Sequence, residues 1–145
     1  MKILKEVYEK MMACPGVPPE SGGILGTSDG RIINHVLFDK GLQEDNEGMY
    51  YPDISFLNQT IENWTENGIR FQGLFHTHAP QWPVLSNDDK FYIVEILNVM
   101  PSNIEKLYFP LVFPGQNIKA YIAKRQEGII VIFDDNIEIV EKKMK

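Results

Sequence analysis

Cysteine and positive charge are both scarce in this chain of 145 residues. Cys14 is the single cysteine, which excludes an intramolecular disulfide and is typical of a reducing compartment, with the cytoplasm as the expected location. The formal net charge is −6, and no cluster of Lys and Arg lies ahead of the last few residues, so no nucleic-acid partner is expected. No apolar run is long enough to span a membrane, and charges interrupt the amino terminus too often for a signal peptide.

What the chain does contain is typical of a folded domain. Hydrophobic residues make up 43% and charged residues 23% of it. Its length predicts a single domain over residues 1–145. Helical and strand periodicities alternate, which favours an α/β fold with one mixed β-sheet flanked by helices. The first half of the chain predicts an amphipathic helix over 3–12, a hairpin with strands within 22–26 and 31–38, and a helix opened by Asp53 or Ser55 and closed at 67–68. A strand over 69–75 follows, and then a well-buried helix that begins at Ser86 and ends by Pro101. The last part predicts strands over 107–113, 118–123 and 129–133, and a tail from 136 that is a strand or a short helix.

A pair of histidines, His76 and His78, follows the predicted strand over 69–75. Side chains two residues apart on a strand lie on the same face, so the two imidazoles can point at one place. The residue types and the spacing are those of a metal site. A pair of histidines at the end of a strand can equally be structural, and the spacing alone does not decide between the two.

A carboxylate follows in Ser86-Asn87-Asp88-Asp89. Ser86 has the character of a helix N-cap, and a helix that returns beside its own strand would bring Asp89 back to the histidines. Two imidazoles and one carboxylate suit Zn²⁺ and leave a fourth position for water. The same four residues also fit a variant of the capping box, which requires no metal.

Four other features bear on function. Glu20 stands between a proline-rich loop and a glycine-rich apolar run, where it is either functional or simply a solvated carboxylate. Cys14 and His35 are expected to be structural, and Trp82 either contacts a substrate or packs against the domain. Residues 39–53 are acidic and turn-rich, which favours a surface loop able to border a binding cleft.

With Glu20 and His-x-His…Ser-x-x-Asp considered together, the chain resembles the JAMM metalloprotease family, also known as MPN+ or JAB. The family pattern is an early glutamate, then His-x-His, seven residues and Ser-x-x-Asp, and residues 76–89 reproduce the latter part without a gap. The resemblance implies a single MPN domain, similar in fold to cytidine deaminases. Ala79 stands where many members have proline, and the run from Asp89 to Leu107 is too short for the insertion of ubiquitin-binding eukaryotic members, so a compact prokaryotic-type member is expected.

The resemblance also implies roles for individual residues. His76, His78 and Asp89 would hold one Zn²⁺ per chain with a bound water, Glu20 would be the general acid and base, and Ser86 would stabilise the oxyanion. The expected activity is metallopeptidase or isopeptidase hydrolysis of an amide bond, with a protein or peptide substrate such as the C-terminal tail of a ubiquitin-like or sulfur-carrier protein.

Two other classes of function stand beside this one. The first is a non-catalytic MPN-type protein-interaction module, with or without structural zinc. The second is a zinc hydrolase of small molecules, which is disfavoured because the deaminase signature of His-x-Glu with Cys-x-x-Cys is absent from the sequence.

Overall fold

The computed structural model describes residues 1–17, 19–39, 41 and 50–141. Within them the chain has a mixed α/β fold. None of the helices in this described part has the length and apolar character needed to cross a membrane. The elements are β1 (Lys2–Leu4), α1 (Lys5–Met12), β2 (Gly22–Thr27), β3 (His35–Asp39), α2 (Ile54–Glu66), β4 (Arg70–Thr77), α3 (Asn87–Val99), β5 (Lys106–Tyr108), β6 (Leu111–Phe113), β7 (Asn117–Gln126), β8 (Ile129–Asp135) and β9 (Glu138–Val140).

Seven strands, β2 to β8, form one mixed sheet in which β4 is an inner strand. On one side of β4 lie β2 and then β3, each antiparallel to its neighbour. On the other side the short strands β5 and β6 run parallel to β4, followed by β7 and β8 in antiparallel order. The predicted single mixed sheet is therefore accompanied by a second, two-stranded one, in which β1 pairs in parallel with β9.

Helices cover both faces of the large sheet because its inner strands are apolar on both sides. Leu25 and Phe75 belong to the apolar cluster that includes Val7 of α1. Their neighbours Ile24 and Leu74 belong to the other cluster, together with buried residues of α2 and α3. Since neighbouring strand residues point to opposite faces, this division places α1 on one face and both α2 and α3 on the other.

The predicted first helix begins two residues too early. Ile3 and Leu4 fit a helical period, yet they form β1, because Leu4 N donates to Ile33 O over 2.9 Å and β9 pairs with the same segment. The tail, for which the sequence allows a strand or a short helix, forms a strand over Glu138–Val140. A long-range partner decided the conformation of both segments.

Two strand predictions also needed correction. The second strand of the hairpin, β3, starts at His35 instead of 31. The backbone N–H groups of Arg31 and Ile32 donate to the Asp29 carboxylate and are therefore not available for pairing between strands. These bonds lower the pKa of Asp29. The strand predicted over 107–113 is divided into β5 and β6 at Pro110, which lacks a backbone donor.

The prediction that the helix begun at Ser86 is well buried was wrong. Its fully buried residues are Ile93 and Leu97, whereas Phe91 is 66% and Val99 78% exposed. Only a narrow stripe of α3 packs against the sheet. The start of the helix therefore lies at the surface, beside the end of β4.

Candidate metal centre

The backbone around the two histidines is hydrogen-bonded on both sides. Thr77 N donates to Ser21 O over 2.8 Å, while His78 N donates to Val112 O over 2.9 Å on the opposite edge. These bonds continue the extended conformation through the end of β4, so His76 and His78 lie on the same face as the spacing predicted. Their Nε2 atoms are 3.1 Å apart.

Asp89 reaches the histidines from the first turn of α3. Ser86 is the N-cap: its Oγ accepts a hydrogen bond from Asp89 N over 3.0 Å, and Ser86 N donates to Asp89 Oδ2 over 2.9 Å. The capping box holds the Asp89 carboxylate at the helix start. Its Oδ1 lies 3.3 Å from His76 Nε2 and its Oδ2 lies 3.2 Å from His78 Nε2.

These separations between ligand atoms suit a small ion with tetrahedral coordination. Ligand atoms that each lie about 2.0 Å from Zn²⁺ at tetrahedral angles are about 3.3 Å from one another. One ligand atom from each of His76, His78 and Asp89 falls within 4.8 Å of the others, so the three residues could hold a metal ion. The nitrogen and oxygen donor set is the type that zinc accepts.

The orientation of His78 supports the same interpretation. Its Nδ1 lies 3.0 Å from the carbonyl oxygen of Trp82. A carbonyl can only accept a hydrogen bond, so Nδ1 carries the proton and Nε2 presents a lone pair to the cluster when the ring is neutral. Such a second hydrogen bond is the usual means by which proteins fix the tautomer of a histidine ligand.

Glu20 lies on the other side of His78. Its Oε2 is 3.7 Å from His78 Nε2, and its Oε1 accepts a hydrogen bond from Tyr50 N over 3.2 Å. The side chain is 19% exposed, so the carboxylate is partly withdrawn from water without being closed off. One of its oxygens is fixed and the other faces the cluster.

The acidic and basic groups of the cluster stabilise one another's charged forms. Burial alone would raise the pKa of Asp89, but the hydrogen bonds of His76 and His78, with the charge of His76, hold that pKa well below its usual range. Burial likewise opposes charge on His78, yet the hydrogen bonds to Asp89 and Trp82, with the charges of Glu20 and Asp89, raise the pKa of His78. A position that favours a positive charge on His78 also favours a cation beside it.

A cavity of about 110 Å³ opens beside the cluster. His76 and Asp89 form part of its wall, and the remainder is mostly apolar and aromatic. The other lining residues are Tyr50, Tyr51, Pro52, Leu74, Phe75, Asp88, Tyr92, Ile93, Ile96 and Phe109. The cavity therefore adjoins two of the three candidate ligand residues.

The structure brings together Glu20, His76, His78 and Asp89, with Ser86 bonded to Asp89. Cys14 is buried, and burial raises the pKa of its thiol, which disfavours a nucleophilic thiolate. His35 lies apart with its Nδ1 2.8 Å from Asn34 Oδ1 and its ring edge-on to Trp64, as expected of a structural histidine.

Sequence reasoning missed three contributions to the site. The indole of Trp82 is 65% exposed, but its backbone carbonyl orients His78. Tyr50 holds Glu20 through a backbone N–H, and Tyr92 lines the adjoining cavity. Backbone groups leave no trace in a residue pattern, whereas the i+3 spacing of Tyr92 from Asp89 on α3 could have indicated that both border one site.

The predicted surface loop over 39–53 needs a correction at its start. Asp39 is 6% exposed at the end of β3 and does not belong to a solvated loop. Its carboxylate accepts hydrogen bonds from Gly41 N, Tyr50 Oη and Asp53 N. Lys40 and residues 42–49, which include most of the acidic side chains, lie outside the described residues.

Comparisons with known proteins identify the fold. No protein-family model and no curated protein matches the chain. The solution structure of a protein from Desulfitobacterium hafniense is similar with a TM-score of 0.68 and 22% identity, over 97% of this chain and 93% of that one. One from Salinibacter ruber is similar with a TM-score of 0.52 and 13% identity, over 97% and 92% of the two chains. These likenesses establish a shared mixed α/β fold along nearly the whole chain.

Proposed function

We propose that this protein is a zinc-dependent metallopeptidase or isopeptidase of the JAMM type, built on an MPN domain. The observation that carries the proposal is the convergence of four side chains from separate segments. Three of them, His76, His78 and Asp89, present ligand atoms to one point. The fourth, Glu20, lies 3.7 Å from the nearer histidine nitrogen.

The donor set fits zinc because two imidazole nitrogens and a carboxylate oxygen leave one coordination position free, the composition of a catalytic site. When bound, zinc supplies a Lewis acid for an amide carbonyl and lowers the pKa of a coordinated water to about 7. The chain's own contribution is to hold the ligands. Trp82 fixes the ring of His78, and the capping box fixes Asp89.

Glu20 is the general base and then the general acid. Its Oε2 takes a proton from the attacking water and delivers it to the leaving amine nitrogen, while Tyr50 N holds Oε1 in place. A partly buried carboxylate with one oxygen fixed is suited to move a proton back and forth over a short distance. Without the returned proton the amine would be a poor leaving group.

Ser86 stabilises the tetrahedral oxyanion. Its Oγ accepts the Asp89 N–H, so its own O–H remains available as a donor. A hydroxyl has one hydrogen and two lone pairs, and the cap occupies only a lone pair. The capping and catalytic roles are therefore compatible in one side chain.

The proposed substrate is a protein or peptide, such as the C-terminal tail of a ubiquitin-like or sulfur-carrier protein. The scissile amide would lie at the mouth of the cavity, where His76 and Asp89 form part of the wall. Trp82 and Phe91 are exposed and offer apolar surface for such a partner.

The first test is the zinc content of protein purified without chelator. We expect about one zinc per chain, the count for a single three-ligand site, and its loss in the His76→Ala, His78→Ala double variant. His35→Ala is the matched control, because this third histidine lies outside the cluster and its loss should leave the zinc in place.

Catalysis is then tested with Glu20→Gln on a ubiquitin-like protein whose C-terminal tail carries an amide-linked reporter. The variant keeps the shape of the side chain but is unable to take a proton, so it should retain zinc and lose hydrolysis. Wild type that holds zinc but hydrolyses no such substrate would favour the interaction module. Wild type that binds no zinc, even when supplied, would contradict the proposal.

A further inference from the structure

The strand β8 forms an open edge of the large sheet. Within the described residues, β7 is the strand with which it pairs. None of its residues is buried, and its charged residues, Asp134 and Asp135, both lie at its end. Proteins usually protect a long apolar edge with charge, proline or a bulge, because its unpaired backbone groups recruit another strand. The run from Ile129 to Phe133 has none of these protections, so this edge is suited to receive a partner.

The turn before β8 decides which of its backbone groups face outward. Glu127 and Gly128 both have a positive φ, +50° and +83°, which is typical of a two-residue type I′ hairpin turn. The flanking pair, Gln126 and Ile129, is hydrogen-bonded in such a turn, and hydrogen-bonded residues alternate with the others along an antiparallel strand. The N–H and C=O groups of the alternate residues therefore point away from β7, and none of them forms a hydrogen bond in the part of the chain that the structure describes. These residues are Ile130, Ile132 and Asp134.

The side chains of β8 differ between the two faces of the sheet. Ile130 and Ile132 pack against the apolar cluster that contains buried residues of α2 and α3. On the other face Ile129 is 63% and Phe133 38% exposed, and Val131 between them is partly exposed. A strand added along β8 would therefore cover an apolar row as well as pair the outward backbone groups.

A second copy of β8 satisfies this edge in one arrangement. In an antiparallel pair centred on Ile132, Ile130 of each copy is opposite Asp134 of the other, and Ile132 is opposite Ile132. Every outward N–H and C=O group of both strands then has a partner. Moving the register by two residues in one direction places Asp134 opposite Gly128 of the turn. Moving it by two in the other direction places Ile130 opposite Asn136, beyond the end of the strand.

Charges and side chains favour the same arrangement. The two copies of Asp134 would lie about 14 Å apart, beyond the Debye length of about 8 Å, so their repulsion is screened. In a parallel pair they would be only about 5 Å apart. Val131 of each copy would be opposite Phe133 of the other at a position without backbone bonds. Side chains approach most closely at such positions, where an aromatic residue and a β-branched one stabilise each other.

We propose that β8 is a homodimer interface, in which two copies pair in antiparallel order about Ile132 and join their sheets into one. The same strand is used by both copies, so the pairing has two-fold symmetry and stops at the dimer. A strand edge covers less area than a standard protein interface, so the association should be weak. No residue of the candidate metal centre takes part, and the inference is independent of the proposed hydrolase function.

Sedimentation equilibrium of the full chain in chelator tests the dimer, from about 10 µM to about 1 mM, the range of weak association. We expect the mass to rise with concentration from that of one chain toward that of two. Phe133→Lys removes both contacts with Val131 and places a charge on the edge, so it should weaken the dimer about tenfold. Leu37→Lys, at an exposed apolar position of the other edge strand β3, should leave it unchanged. A mass that stays monomeric, grows beyond the dimer, or responds equally to both variants would overturn the inference.

Cross-linking tests the register separately and does not depend on the lysine variants. Val131→Cys and Phe133→Cys proteins, mixed and treated with oxidised glutathione, should form a disulfide-linked heterodimer, because opposite residues without backbone bonds have Cα atoms about 4.5 Å apart. Neither protein alone should do so, because two copies of the same residue would lie about 8 Å apart, too far for a disulfide. Wild type, which has the buried Cys14, is the control. A mixture without cross-links, or one that forms no more than the separate proteins do, would contradict pairing about Ile132.

Discussion

Asp89 fits both roles that the sequence presents as alternatives, because it forms a capping box and its carboxylate also faces two histidines with which it could hold a metal ion. Its Oδ2 accepts the N–H of Ser86 over 2.9 Å and lies 3.2 Å from His78 Nε2, while its Oδ1 lies 3.3 Å from His76 Nε2. A carboxylate has about four lone-pair sites, enough for a cap and a metal ligand together. The capping interaction thereby orients the ligand before any metal binds.

The two roles can be separated by substitution. In Asp89→Asn the amide oxygen can still accept the Ser86 N–H, so we expect folding to be nearly unchanged. The charged ligand is lost, and zinc affinity should fall by more than the roughly 10- to 100-fold that loss of an outer-shell partner costs. Isothermal titration with zinc and urea denaturation measure the two effects. Variant protein that binds zinc as tightly as wild type would show that Asp89 acts only as a cap.

Ser86→Ala should give the opposite result. It removes the hydroxyl that accepts Asp89 N, so the free energy of unfolding should fall by about 1 kcal/mol, as for other lost N-caps. Zinc content should be retained, because the hydroxyl is not a ligand. Hydrolysis should slow by about 10²- to 10³-fold if the hydroxyl stabilises the oxyanion. Unchanged hydrolysis in a zinc-loaded variant would limit Ser86 to capping.

The titration of His78 predicts a pH dependence for the zinc-free protein. Although burial opposes it, the bonds to Asp89 and Trp82 raise the pKa of His78 above its ordinary value. The folded state thus holds this proton more tightly than the unfolded chain does. The resulting stability is fully present below the unfolded pKa of about 6.5 and is lost as the pH rises through the folded pKa.

We therefore expect the free energy of unfolding of the zinc-free protein to decrease as the pH rises above about 6.5. Urea denaturation at a series of pH values in the presence of chelator measures this. His78→Gln should remove this contribution, since glutamine does not titrate. If the variant shows the same pH slope as wild type, another group is responsible.

Among single residues, the sequence predicted which side chains converge on one place, because a strand has a fixed period. His76 and His78 share a face in any extended chain, and the Ser86 cap determines the position of Asp89. The carbonyl of Trp82 and the N–H of Tyr50 were not predictable, since every residue has these groups and only the folded backbone selects which are used. Tyr92 differs from these backbone groups, because its i+3 spacing from Asp89 on α3 is a local signal that both border one cavity.

Among the elements, β4 depends on a glycine in its centre. Gly73 has a φ of +149°, and a Cβ there would lie 1.8 Å from the carbonyl oxygen of Tyr108 in β5. The register of β4 against β2 also shifts next to this position. The close approach lets β5 pair beside the strand that carries His76.

Gly73→Ala should be strongly destabilising, by at least about 2 kcal/mol, because both the conformation and the backbone contact exclude a side chain. Any folded fraction should bind zinc more weakly, since β4 must move away from β5. Gly16→Ala is the control, because a Cβ there meets nothing within 4 Å. Thermal unfolding of both variants measures the difference, and equal stabilities would contradict this account of β4.

The end of β3 anchors the segment that holds Glu20. Asp39 accepts hydrogen bonds from Tyr50 Oη over 2.7 Å and from Asp53 N over 3.0 Å, and Asp53 in turn caps α2. Tyr50 N reaches Glu20 from the same segment. The buried carboxylate thus connects β3, the start of α2 and the proposed general base.

Asp39→Asn weakens this connection without changing the size of the side chain. We expect a loss of about 1 to 3 kcal/mol in the free energy of unfolding, as for other bonds to buried charged groups. Hydrolysis should slow while zinc content stays the same, because Glu20 loses its support but the ligands do not. Asp134→Asn, on the exposed part of β8, is the control. A variant that loses zinc would indicate a more general collapse.

The sequence predicted the presence of most elements more reliably than their limits. Strong local signals located the start of α3 at the Ser86 cap and narrowed the start of α2 to two candidate caps, Asp53 and Ser55, of which Asp53 is the cap. The errors arose where a distant segment decided the outcome, as with Ile3 in β1, or where an apolar helix covers the sheet with only part of its surface, as with Phe91 on α3.

For the whole molecule, the candidate site joins segments that are far apart in sequence. Glu20 precedes β2, the histidines end β4 and Asp89 begins α3, so a metal ion would link the central strand of the sheet to a helix on one of its faces. In the unfolded chain these ligands are not preorganised. Metal binding should therefore favour the folded state by mass action.

We expect zinc to stabilise the wild type by about 2.7 kcal/mol when its free concentration is 100 times the dissociation constant. Denaturation in buffered zinc and in chelator measures the difference. The effect should vanish in the His76→Ala, His78→Ala double variant and persist in His35→Ala, which has lost a histidine outside the cluster. Stabilisation that survives in the double variant would mean that zinc binds elsewhere. An absence of stabilisation in a wild type that contains zinc would mean that the ion binds folded and unfolded chains equally, and the site would then be no rigid link between β4 and α3.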